Sequence, residues 1–76
     1  MKELIEYVAR GLVENPDDVE VTDDWDGHRH VLHLDVAEGD MGKVIGRGGR
    51  VAEAMRSLLK VASASEDTRA VLDIGD

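Results

Sequence analysis

An α+β fold with element order αββααβ is predicted by three observations: two stretches with helical apolar spacing, three shorter stretches of strict alternation, and a glycine-rich break inside the second helical stretch. This order favours a three-stranded mixed sheet with three helices packed on one face. Leu4, Ile5, Val8, Leu12 and Val13 recur every three or four residues, while Lys2, Glu3, Glu6 and Arg10 fall mostly on the other side, so the chain opens with an amphipathic helix. Asn15-Pro16 ends it, because proline lacks a backbone donor and disfavours helical geometry in the residue before it. Between Val19 and Trp25, Val19 and Val21 alternate with acids, and between His30 and Val36, Leu32, Leu34 and Val36 alternate with His33 and Asp35. These are two half-buried strands. Asp26-Gly27 between them predicts a tight hairpin turn and hence antiparallel neighbours.

Asp40 is expected to cap a short helical turn beginning at Met41, interrupted at Gly46–Gly49 before a longer helix starts near Arg50. In that helix Val51, Ala52, Met55, Leu58, Leu59 and Ala62 form the apolar stripe, with Arg56 and Lys60 outside it. Ser63–Asp67 reads as a loop, and Ala70, Leu72 and Ile74 alternate with Arg69, Val71 and Asp73 in a last strand. The helices between the second and last strands form a crossover, which favours parallel pairing of those two strands.

The 76 residues amount to one small domain spanning 1–76, with a core that removes only about 60% of the unfolded chain's surface from water, which argues against a large enzyme with a deep pocket. Charged residues make up 34% of the chain and are interspersed throughout, so no membrane span is expected. With no cysteine, disulfide staples and thiolate metal sites are excluded. The residues after Met1 carry no signal-peptide pattern, and the expected location is cytoplasmic. A net charge of −8 argues, as an average, against a nucleic-acid backbone. The distribution argues the other way. Met41–Lys60 holds five basic residues (Lys43, Arg47, Arg50, Arg56, Lys60) against Glu53, a local +4, while the remainder holds four basic and sixteen acidic residues, −12.

At the centre of the basic stretch lies Gly42-Lys43-Val44-Ile45-Gly46-Arg47-Gly48-Gly49-Arg50. Residues without a Cβ let phosphates approach the main chain, and the start of the next helix offers unpaired N–H groups with partial positive charge. A Walker loop does not fit the spacing, and the dinucleotide fingerprint fails at Val51, where it needs glycine. Val44-Ile45-Gly46-Arg47-Gly48-Gly49-Arg50, set between two helices and after a hairpin, resembles the Ile-Gly-x-x-Gly signature of KH RNA-binding domains in the type II arrangement. Over its whole length the chain resembles the small bacterial KhpA family, in which a single KH domain is the entire protein.

The resemblance implies a loop, Gly46–Gly49, that clamps the sugar-phosphate backbone of about four single-stranded nucleotides. Lys43, Val44, Ile45, Arg50 and Arg56 join those four glycine-loop residues as the expected RNA contacts. Val44 and Ile45 would form part of an apolar groove floor, with the second strand along its other side. Gly48 departs from the family pattern, which more often has a polar or basic residue there, and is expected to loosen the loop. The resemblance further implies an RNA chaperone or post-transcriptional regulator linked to cell elongation and division. It also implies a protein that forms homodimers or pairs with a larger KH-containing partner, KhpB (also called Jag or EloR), and no membrane contact. A protein-interaction module with secondary RNA contact is the alternative.

Other residue clusters point to bland roles. The glycine loop alone would also serve as a tight helix–helix connection, and Arg56 and Lys60 as a solvated face. His28 and His30 share strand parity with Asp26, but His33 lies on the opposite face, leaving no third strong ligand for a metal. The acids between Asp17 and Asp26 lack calcium-loop spacing. Trp25 is either a cap over the sheet edge or a contact residue. No set of residues names a reaction, so neither an enzyme nor a cofactor is expected.

Overall fold

The computed structural model describes residues 1–75. The elements run α1 (Lys2–Leu12), β1 (Glu20–Trp25), β2 (His30–Asp35), α2 (Met41–Ile45), α3 (Arg50–Ser65) and β3 (Ala70–Ile74), with single 3-10 turns at Pro16–Asp18, Glu38–Asp40 and Arg47–Gly49. The sheet order is β1-β2-β3. β1 pairs antiparallel with β2, Val21 opposite Leu34, and β2 pairs parallel with β3, Leu32 opposite Leu72. The predicted mixed sheet is therefore the observed one.

Alternation decides which side of the sheet is covered. Val21, Leu32, Leu34 and Leu72 are buried, and the helices close over them with Ile5 and Ala9 of α1, Val44 of α2 and Met55 and Leu59 of α3. Burying each of the larger side chains stabilises the fold by about 1.5–3 kcal/mol. β2 is central, and β3 is an open edge running back alongside α3. The glycine-rich turn at the start of α3 and the β1–β2 hairpin turn thus lie at opposite ends of the domain. The 16 residues of α3, at about 1.5 Å each, place them roughly 24 Å apart.

Four expectations are corrected. Ser63–Ser65 is helical, because Ser63 occupies the next buried position after Leu59 and its hydroxyl donates to the Lys60 carbonyl at 3.0 Å. The helix stops only where Asp67 turns to φ +56 and Thr68 N–H bonds the Ser63 carbonyl at 2.9 Å. The hairpin loop holds four residues, Asp26–Arg29, since Trp25 pairs with His30. One Asp26 carboxylate oxygen accepts N–H bonds from His28 and Arg29, both at 2.9 Å, and those bonds hold its pKa below the usual range. Leu58, 46% exposed, lies outside the core despite its place in the predicted stripe. Finally, the Asp40 side chain does not cap α2.

Candidate nucleic-acid interface

Asp40 reaches across to the end of α1 instead. It is 1% exposed, and its carboxylate accepts the N–H of Glu14 at 3.2 Å, the N–H of Asn15 at 3.0 Å and the Asn15 side-chain amide at 3.0 Å. Lys43 Nζ lies 3.5 Å from the same carboxylate and 4.0 Å from Glu14. Burial pushes the Asp40 pKa up, but the Asn15 amide, the two backbone donors and Lys43 together outweigh it, and the net shift is downward. The ionised carboxylate therefore ties α2 to the α1 terminus. Sequence pattern registered Asp40 as a local cap, because a contact 25 residues away leaves no mark on local spacing.

From this anchored base α2 makes little more than one turn before Gly46 breaks it. Gly46 N–H closes on the Gly42 carbonyl at 2.9 Å, and Gly49 N–H on the Gly46 carbonyl at 3.1 Å. At φ +78 Gly46 lies in the left-handed region, and a Cβ there would overlap the Val51 side chain and sit 2.9 Å from the Val51 nitrogen. The missing Cβ lets the loop fold back onto the first turn of α3. Gly48 also has positive φ, at +65, with open space where a Cβ would project. Glycine at that position thus suits its backbone conformation.

Arg47 and Arg50 project from this loop exposed, with no ion pair among the described residues. α3 begins at Gly49 with no side-chain cap, so the partial positive charge of its first turn is not neutralised from within. Ile45, 39% exposed, offers an apolar surface beside the loop.

The remaining expected contacts divide. Val44 is 0% exposed, so its side chain belongs to the core beneath the loop and is not an exposed groove floor. Lys43 is turned to Asp40 and Glu14. Arg56 lies away from the loop, donating from Nε to the Leu72 carbonyl at 3.4 Å and from Nη1 to Glu53 at 3.3 Å. The strand alongside α3 is β3, not the second strand, because β2 occupies the sheet centre. Between α3 and β3 opens a cleft of about 610 Å³ whose lining includes Arg29, Arg56, Lys60 and Arg69. Arg29 and Arg69 are forty residues apart and were counted in the acidic remainder. They meet because His30 N–H bonds the Arg69 carbonyl at 2.8 Å.

The three histidines stay apart in role. His30 Nδ1 is 2.9 Å from Asp23, and His33 lies 3.5 Å from Asp24 and 3.2 Å from Asp73. Trp25 meets the His30 ring edge to face at 4.9 Å. No helix is long and apolar enough to cross a membrane among the described residues.

The family described as KhpA/KhpB, KH domain, matches residues 2–74. The chain is 47% identical over 76 residues to the RNA-binding protein KhpA of Halalkalibacterium halodurans, covering all of both chains. It is 45% identical to the RNA-binding protein KhpA of Clostridium acetobutylicum, over 97% of this chain and 99% of that one. Against the protein of that name from Treponema pallidum it is also 45% identical, over 99% and 94% of the two chains. No solved structure matches it. A family match across nearly all of the described residues, on an αββααβ fold with its Gly-x-x-Gly turn between two helices, shows that the chain belongs to the KhpA/KhpB family of KH-domain proteins.

Proposed function

We propose that the chain binds single-stranded RNA by seating the sugar-phosphate backbone of about four nucleotides on the Gly46–Gly49 loop. One observation carries this reading: two exposed arginines, with no ion pair among the described residues, lie within and just after a glycine turn that leads into an uncapped helix start. Phosphates approach the main chain there, Arg47 and Arg50 neutralise them, and Ile45 contacts a base beside the loop. Tyr7 and Trp25 are the chain's only aromatic residues, so bases are held by aliphatic contact and hydrogen bonds, not by stacking platforms. In the cell the domain acts as an RNA chaperone or post-transcriptional regulator linked to elongation and division.

Replacing Arg47 and Gly48 together by Asp places two anions where phosphates sit. Affinity for short RNAs is expected to fall more than about tenfold, from lost charge-assisted bonds of about 1.5–3 kcal/mol each, with an unchanged circular dichroism spectrum. Unaltered retention in a filter assay contradicts the reading.

A second reading, pairing with another copy or with a larger KH-containing partner, is favoured by one surface. Leu58 and Val61 of α3, 46% and 70% exposed, face away from the sheet. Val61→Glu should shift a sedimenting dimer to monomer, and a wild-type chain that sediments as a monomer at all concentrations refutes self-association.

A further inference from the structure

α2 cannot hold its own direction. Its five residues make little more than one hydrogen-bonded turn, too short to persist without tertiary support. Two attachments supply that support. Val44 packs into the core, and Asp40, at the head of the helix, is the one buried charged side chain among the described residues. Four donors converge on the Asp40 carboxylate: the backbone N–H groups of Glu14 at 3.2 Å and Asn15 at 3.0 Å, the Asn15 side-chain amide at 3.0 Å and the Lys43 ammonium at 3.5 Å. An apolar contact such as that of Val44 is non-directional, whereas hydrogen bonds to a buried carboxylate are directional and costly to leave unmade. Val44 therefore fixes where α2 sits, and Asp40 fixes which way it points.

The direction of α2 sets the glycine loop. Gly46 follows Asp40 by six residues, about 9 Å of helix rise. Its N–H closes α2 on the Gly42 carbonyl at 2.9 Å, while its other side meets Val51 with no room for a Cβ. A tilt of α2 thus either drives Gly46 into Val51 or lifts the loop from the start of α3. Lys43 is drawn into the same arrangement. Its ammonium also lies 4.0 Å from Glu14, so its charge, unlike those of Arg47 and Arg50, is answered within the chain.

We propose that Asp40 is a positioning residue for RNA binding: through Asn15 and Lys43 it holds α2, and with it the Gly46–Gly49 backbone, in the orientation that accepts phosphates, and Lys43 serves this tie instead of touching phosphate. The proposal rests on the RNA-binding reading and deepens it.

The test compares full-length Asp40→Asn, Asn15→Ala, Lys43→Gln and Arg47→Gln with the unaltered chain. Each binds a short mixed-sequence single-stranded RNA over a series of salt concentrations, at a temperature where circular dichroism shows it fully folded. Asp40→Asn is expected to bind about fivefold more weakly, the loss that follows if about a fifth of its loops keep the competent orientation, with no change in the slope of log affinity against log salt. Asn15→Ala and Lys43→Gln lose affinity in the same way by less, and Lys43→Arg, which reaches the same carboxylate, recovers it. Arg47→Gln removes a phosphate contact and instead lowers the slope by about 0.7. Amide exchange gives a readout independent of RNA: Gly46 and Gly49 exchange faster in Asp40→Asn, while Met55 and Leu59 in α3 keep their protection.

A fully folded Asp40→Asn with unaltered affinity and unaltered Gly46 and Gly49 exchange overturns the proposal and leaves Asp40 a stabilising contact alone. Asn15→Ala, at an exposed position, decides in the same way if the carboxylate proves necessary for folding. A lowered salt slope in Lys43→Gln also overturns it, because Lys43 then touches phosphate. If the unaltered chain binds no RNA while loop exchange still quickens in Asp40→Asn, the RNA-binding reading fails and the anchoring of the loop stands apart from it.

Discussion

The two glycine-containing turns at opposite ends of the domain differ in what they do with their hydrogen-bonding groups. The hairpin turn closes on itself. Asp26 gathers the N–H groups of His28 and Arg29 and the Arg29 guanidinium, and His30 leans on Asp23 and Trp25. The Gly46–Gly49 turn has backbone bonds enough to hold its shape, but among the described residues no carboxylate pairs with Arg47 or Arg50 and no side chain caps the helix after it. A turn that satisfies its own charges is a connection. A turn that fixes its backbone and leaves its cations unpaired is prepared for an anion from outside.

Replacing Gly46 by Ala tests this contrast with the largest effect. Positive φ and overlap with Val51 together should cost about 2–4 kcal/mol of stability, read as a lowered urea midpoint, and RNA affinity should fall because the loop no longer folds onto α3. Wild-type stability and binding in that variant would show that the close approach is not required. Asp40→Asn comes next, since it keeps the shape of the α1–α2 tie but removes its charge. The folded-state pKa of Asp40 lies below 3.8, so its contribution is fully present above that value and is lost as pH falls through the folded value. The variant should have a lower urea midpoint at neutral pH, and the difference from the unaltered chain should narrow as the pH falls below 3.8. A constant difference would mean the carboxylate's charge is irrelevant. Gly27→Ala is the smallest change. Its φ of +97 is strained for alanine, but open space surrounds the site, so a cost of about 1 kcal/mol with unchanged RNA affinity is expected. A binding defect there would erase the distinction between the turns.

The order of elements and the inward faces of all three strands were legible because alternation has a period of two and needs only four or five residues to declare itself. The glycine loop was legible because its chemistry is local. What escaped was set at a distance or by too short a span. Five residues of α2 cannot define a helical stripe, so Val44 and Ile45 looked equivalent although one is core and the other surface. Ser63 continued α3 by a hydroxyl bond that polarity alone disguised as a loop. Asp40's partners on the α1 terminus and the meeting of Arg29 with Arg69 depend on tertiary contacts that no local pattern records. The charge partition along the chain found the loop but split the cleft's four cations between two classes.

The most direct test of the loop as the RNA contact is a backbone amide NMR titration with a short single-stranded RNA at low salt. The largest shift changes are predicted at Gly46–Ala52, with Asp26–His28 unmoved. Changes centred on the hairpin turn or on Leu58 and Val61, with the Gly46–Gly49 amides silent, would contradict it.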